Sequence, residues 1–238
     1  MVRLATEDRP TVLCLQEVPV WALGWLGEWS GMSVYGEVAA PPRLGPLPST
    51  AELGRAITAL DQGVFRSAFS GQANAILVDP ALEASDYRHL VLNDTGFRRA
   101  QATWLGLDLV ARLAWAKERR VCQALRVAGL GLVANVHATG LPDDRIPDAE
   151  VLRAASFADG LSRPDEVSIL AGDFNVRPER SRTLADLPAW GFSEPGDAID
   201  QVLVRGAVSG RPVSWPVGRR RVAGRVLSDH SPVEVELE

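Results

Sequence analysis

The chain has 238 residues, 46% hydrophobic and 23% charged, with a formal net charge of −5. That fits one large globular domain or two small ones and leaves room for a sizeable core. The acidic balance argues against broad, non-specific binding to a nucleic-acid backbone, and no run of eighteen apolar residues offers a membrane-spanning helix.

Thr11–Val18 (TVLCLQEV) is a short apolar run whose length predicts a strand buried on both faces. Pro19–Trp29 carries Trp21, Trp25 and Trp29 four residues apart, one helical face expected to pack into the core. Ala39–Ser49 is Pro-rich and reads as a loop, after which Ser49 or Thr50 caps a helix through about Gly63. Gln72–Asp79 and Tyr87–Asn93 read as strands, and Gln101–Trp115 is ambiguous. Cys122–Val127 and Gly131–His137 have the content of paired strands. Pro142–Pro147 is a polar loop, Asp148–Gly160 a helix, and Val167–Ala171, Ala198–Val204 and Val233–Leu237 are strands. Many short strands with a few helices predict sheets covered by helices, in one domain over 1–238. Cys14 and Cys122 sit in apolar patterns and read as buried thiols. The charged start MVRLATEDRPT lacks a signal peptide's apolar core, so a cytoplasmic location is expected.

Several of these strands end in polar pairs. TVLCLQEV ends in Gln16-Glu17, GLGLVANVH in Asn135 and His137, and VSILAGDFN in Asp173 and Asn175; AIDQVLV carries Asp200, and Ser228-Asp229-His230 precedes the last strand. In an extended LAGDFN segment Asp173 and Asn175 point to one side and Phe174 to the other, into a core. The same six residues equally suit a turn, and each remaining motif alone equally suits a strand edge, a turn or a cap. Jointly they point to a site, because two of only three histidines fall in them. So many carboxylates in one place repel unless a cation neutralises them, and Mg²⁺ or Mn²⁺ is the oxygen-preferring choice.

QE at 16–17, NxH at 135–137, GDFN at 172–175, ID at 199–200 and SDHSP at 228–232 resemble the endonuclease/exonuclease/phosphatase (DNase I-like) superfamily in order and rough spacing. GQANAILV at 71–78 resembles that family's Gly-Asn-Ala-Ile-Leu strand. The resemblance implies a four-layer α/β sandwich of two packed mixed β-sheets flanked by helices. It implies a metal-dependent phosphoesterase, most readily a phosphodiesterase or nuclease. A phosphomonoesterase, a lipid-head-group phosphoesterase and a non-catalytic binding protein of the same fold are the alternatives. Carried over residue by residue, Glu17 is the principal metal carboxylate, with Asp229 close to that metal. Asp173 and Asn175 contact the scissile phosphate, its nucleophilic water or a second ion. His230 is the base or phosphate-polarising histidine, held by Asp200. His137 donates to a phosphate oxygen or protonates the leaving group, and Asn74 holds a phosphate oxygen. The family's first strand and its Asn have no counterpart before the QE strand, which makes the chain N-terminally short against that pattern. Arg219, Arg220 and Arg221, just before SDH, are expected at the site rim as contacts for a polyanionic substrate, or equally as a solvated basic loop. Nucleic acid, a small phosphodiester and a lipid head group all fit as the phosphate-ester substrate.

Overall fold

The computed structural model describes residues 1–44, 47–60 and 69–238. Its longer strands form two sheets. In the first, β1 (Val12–Val18), β2 (Ser33–Ala40) and β3 (Gln72–Val78) run antiparallel in the order β1-β3-β2. In the second, β4 (Ala84–Val91), β5 (Val121–Val127), β6 (Gly131–His137), β7 (Ser168–Asp173) and β8 (Asp200–Arg205) follow the order β8-β7-β6-β5-β4. Only β6 and β7 are parallel in that sheet, and a helix connects them, as a parallel crossover requires. The helices are α1 (Val2–Ala5), α2 (Leu26–Ser30), α3 (Ala51–Leu60), α4 (Thr95–Trp104), α5 (Leu109–Lys117), α6 (Arg145–Leu161) and α7 (Arg182–Asp186).

Strand periodicity makes the layers. Along β3, Ile76 and Val78 face the second sheet and meet Leu125, Val127 and Val133, while Ala73, Ala75 and Leu77 face outward onto Ala22 and Leu26. Along β6, Leu132, Ala134 and Val136 face outward onto Val151, Ala154, Ala155 and Ala158 of α6. Both faces of β3 and β6 are therefore covered, and the fold is an α/β sandwich with helices outside two packed sheets. Polar groups also bridge the sheets. Asn135 donates to Leu15 O at 3.0 Å and Ala75 O at 3.2 Å, and Gln16 donates to Asn135 Oδ1 at 2.6 Å. Each of these amides satisfies backbone or side-chain groups that burial would otherwise strand.

Some expectations change. β1 is half-buried rather than buried on both faces, because it is the edge of its sheet and pairs only with β3 among the described residues. The tryptophan face is core only in part: Trp21 and Trp29 are half-buried and pack against the cluster that holds Ala22 and Leu26, whereas Trp25 is exposed and stacks on Trp29 at 6.4 Å. Gln101–Trp115 resolves into the last turn of α4 and most of α5. Helix α6 begins at Arg145, inside the expected polar loop, with Pro147 tolerated in the first turn where no N–H partner is needed. The last strand shrinks to Val233–Glu234. Thr50 Oγ1 accepts from Leu53 N and so caps α3, whose expected end near Gly63 lies outside the described residues. Both thiols are unpaired, and burial raises them above the ordinary thiol range.

Candidate active site

Strand register builds the site's first half. His137 pairs with Asp173 across the parallel β6–β7 ladder, and Asp173 pairs with Asp200 across the antiparallel β7–β8 ladder. Three titratable side chains thus sit side by side at one sheet edge, one strand spacing apart, about 4.8 Å. The ladder is tight there. Gly172 has φ of +135°, and a Cβ on it would lie 2.0 Å from Val136 O. After Asp173 the chain turns through Asn175 at φ +51°, a left-handed conformation that Asn tolerates. Asn175 donates its backbone N–H to Asp173 Oδ1 at 2.9 Å, and its side-chain amide to Asp173 Oδ2 at 3.0 Å and Ala138 O at 2.9 Å. Phe174 is fully buried behind them in the core. Burial first, then the negative charge of Asp200, pushes the Asp173 carboxyl up to about 6.

His230 supplies the opposite wall. Its Nδ1 lies 3.1 and 3.0 Å from the two Asp200 oxygens. That bond, assisted by the charges of Asp200, Asp173 and Asp229, raises His230 to about 9, so the ring is an imidazolium at neutral pH. Asp229 is exposed beside it. Both line a cleft of about 770 Å³ shared with Asp200, Arg177 and Arg211.

His137 is buried, with Nε2 3.7 Å from Asp173 Oδ2 and 3.9 Å from Glu17 Oε1. Arg120 Nη1 approaches its ring nitrogens at 3.1 and 2.8 Å. A guanidinium is donor-only, so the ring nitrogen facing it is an acceptor and the imidazole is neutral. Burial and then the Arg120 charge hold His137 well below the usual imidazole range. Arg120 is itself buried, with Nη2 on Glu118 Oε2 at 2.8 Å and Nε without a partner among the described residues. Glu17 is 63% exposed, stands at φ +54° where the β1–β3 register shifts, and accepts from Gln72 Nε2 at 3.5 Å. A non-glycine residue held there is strained, and the bulge aims its carboxylate away from the ladder.

The structure brings Glu17, His137, Asp173, Asn175, Asp200, Asp229 and His230 to one region. It places the others differently. Asn74 is buried, donates to Val121 O at 3.0 Å and leaves Oδ1 without a partner among the described residues, so its amide hydrogens face the interior. Arg219 pairs with Asp8 and Glu234 and lies 3.7 Å from the Trp215 ring centroid. Arg220 is buried beneath the SDH loop and donates to Ser228 O and His230 O at 2.7 Å each. Only Arg221 is exposed, in a ribbon with Val226. The basic run is therefore largely a brace for the loop. Arg120 and Glu118 do not stand out in the sequence, where ERRVC resembles a solvated turn; a charge directly before a fully buried strand is the available signal.

Asp173, Asp200 and His230 each offer a ligand atom within 4.8 Å of the others. Two neighbouring carboxylates, one of them raised to about 6 by burial and then by the charge of the other, fit an oxygen-preferring divalent cation, whose charge relieves both.

The family model described as Endonuclease/Exonuclease/phosphatase family matches residues 1–230. Several solved structures share the fold. A functionally unknown conserved protein from Enterococcus faecalis V583 has TM-score 0.65 at 15% identity, over 100% of this chain and 88% of that one. The mannosyl-6-phosphatase of Bacteroides thetaiotaomicron VPI-5482 has TM-score 0.62 at 15% identity, over 100% and 88%. The human Nocturnin catalytic domain with bound sulfate anion has TM-score 0.59 at 16% identity, over 99% and 86%. At such identities the likeness is one of fold. No curated protein matches the sequence significantly.

Proposed function

The chain belongs to the Endonuclease/Exonuclease/phosphatase family, and from that premise we propose that it is a divalent-metal-dependent phosphodiesterase or nuclease that hydrolyses a phosphate ester with water. The observation carrying this reading is the row His137–Asp173–Asp200 with His230 bonded to Asp200. The family's enzymes are divalent-metal dependent, and here Glu17, Asp173, Asn175 and Asp229 are the residues proposed to hold Mg²⁺ or Mn²⁺. When bound, the cation supplies Lewis-acid stabilisation of phosphate charge and a water of lowered pKa.

The protein groups divide the remaining work. Asp200 fixes the His230 ring through Nδ1, which leaves Nε2 as the nitrogen that meets the phosphate. As an imidazolium, His230 donates to a phosphate oxygen and stabilises charge there; once the neighbouring carboxylates are neutralised it becomes weaker as a base for its own proton and able to exchange one with water. His137, held neutral with Nε2 accepting from Arg120 at 2.8 Å, is not the acid for the leaving group; it holds that guanidinium beside Asp173 and Glu17, where it meets the phosphate's charge. Asn175 keeps Asp173 oriented. The reading takes residues 1–238 as one domain, supported by a family match that spans residues 1–230. A phosphomonoesterase is the second reading, favoured by a fold relative named as a mannosyl-6-phosphatase.

The test is turnover of bis-p-nitrophenyl phosphate beside p-nitrophenyl phosphate, with Mg²⁺, Mn²⁺ or EDTA, in the wild type and Asp173→Ala. Diester turnover that EDTA and Asp173→Ala both abolish is expected. Faster monoester turnover moves the assignment to the second reading, and turnover indifferent to EDTA and to Asp173 overturns the site.

A further inference from the structure

Helices α4 and α5, between β4 and β5, form a hairpin that the site does not use. Its inner side is ordinary core: Ala102, Leu107 and Trp115 pack with Ile146, and Trp115 Nε1 donates to buried Glu150 at 2.5 Å. Its outer side is not polar. Trp104 is 78% exposed, Leu109 69%, Val110 75% and Leu113 62%. Leu109, Leu113 and Lys117 follow at four-residue spacing, with Val110 three before Leu113, so the aliphatic side chains share one face of α5 that ends in a cation. Trp104 closes α4 only a few residues earlier. A monomer's surface rarely gathers apolar groups this way without a use.

The charge around the patch is opposite to that of the chain. Residues 95–119 carry Arg98, Arg99, Arg112, Lys117 and Arg119 against Asp108 and Glu118, within a chain of net −5 whose only lysine is Lys117. Asp108 is occupied as the α5 cap, accepting from Ala111 N at 2.8 Å, and Glu118 pairs with Arg120. Arg99 and Lys117 are exposed, while the Arg112 guanidinium is taken up by Leu107 O at 2.8 Å and Ala102 O at 3.3 Å.

We propose that the α4–α5 hairpin docks onto an anionic lipid surface, with Trp104, Leu109, Val110 and Leu113 entering the headgroup–acyl boundary and Arg99 and Lys117 meeting lipid phosphates. Exposed aliphatics beside a tryptophan, rimmed by long cations, are the composition of an interfacial helix. A second copy fits poorly, since a two-fold contact through this patch would set the same cations against one another. Nucleic acid uses the cations but gives the aliphatics nothing to bury in. The proposal is independent of the hydrolytic reading.

Co-sedimentation of the full chain with phosphatidylcholine vesicles, with and without phosphatidylserine, tests it. The wild type is expected to pellet with the phosphatidylserine vesicles and to be released by salt. Leu109→Ser with Leu113→Ser should weaken binding on the order of tenfold or more. Arg99→Gln and Lys117→Gln should each weaken it about fivefold. Thermal melts matching the wild type verify that these surface variants fold, and if the double serine variant does not, the charge variants carry the test alone. No pelleting, equal pelleting with phosphatidylcholine alone, or pelleting unchanged by the substitutions overturns the proposal. So does a concentration-dependent dimer in sedimentation equilibrium that Leu109→Ser with Leu113→Ser abolishes, which would give the face to self-association.

Discussion

The site joins two regions that are held in place differently. His137, Asp173 and Asp200 stand on adjacent strands, where continuous ladders set their spacing. Asp229 and His230 stand in the segment after β8, whose described pairings are two-residue ribbons such as Val213–Ser214 with Val233–Glu234. There one buried guanidinium, that of Arg220, gathers the carbonyls of Ser228 and His230. Ladders fail cooperatively and take the fold with them; a single brace can fail alone. Changes that disturb the backbone should therefore cost activity and stability together in the strand half, while the loop half can lose activity alone.

The largest effect is expected in the strand half. Asp173→Asn keeps the volume but removes the charge, and kcat/KM for the diester should fall at least about 10²-fold. A variant retaining a tenth of wild-type turnover would remove Asp173 from the site. Arg220→Met attacks the loop half. Two carbonyls lose a charged donor, at a cost of about 1–3 kcal/mol in stability, and kcat should fall by more than that modest melting shift implies. Parallel melts and kinetics check it: loss of stability with kcat intact would mean that His230 is positioned by Asp200 alone. Arg120→Met comes next, with a fall in kcat of about tenfold. The long-range ¹⁵N spectrum of the His137 ring should show one neutral tautomer in the wild type and lose that selection in the variant.

The pH dependence sharpens the same contrast. Asp173, raised from 3.8 to about 6, makes the metal-free fold less stable as pH climbs through that window, because the folded state resists ionising it. His230, raised from 6.5 to about 9, contributes stability that is complete below 6.5 and lost as pH rises toward 9. Mg²⁺ should raise the melting temperature at about pH 7.5 and hardly at all at about pH 4, since binding needs the ionised carboxylate. Equal shifts at both would exclude Asp173 as a ligand. The smallest effect is expected at Arg221, exposed in its ribbon, where Arg221→Gln should change kcat/KM less than about twofold.

Much of the fold and of the strand half is legible in the residues themselves. β3 and β6 announce themselves as apolar runs bounded by turn residues, and His137 and Asp173 fall at strand ends that the motifs mark. What stays hidden depends on side-chain direction. Arg219, Arg220 and Arg221 are neighbours in sequence, yet one pairs with acids, one is buried and one is exposed. Asn74 sits in a strand whose two faces are both covered, so its amide turns inward, which a linear motif cannot show. Arg120 reaches His137 from the adjacent strand, just beyond the Cys122–Val136 pair, and ERRVC read alone does not show that reach. The two helices of the hairpin blur into one ambiguous stretch because α5 is apolar on both its inner and its outer side, which erases the helical period.

Gly172 touches no substrate and titrates nothing, yet its Cα lies where the β6 backbone leaves no room for even a methyl group. Any side chain there would pry β6 from β7 and pull His137 away from Asp173. In a saturation scan selected for turnover, position 172 would therefore accept glycine alone and score with the acidic residue beside it, a chemically silent position with the tolerance profile of a reactive one.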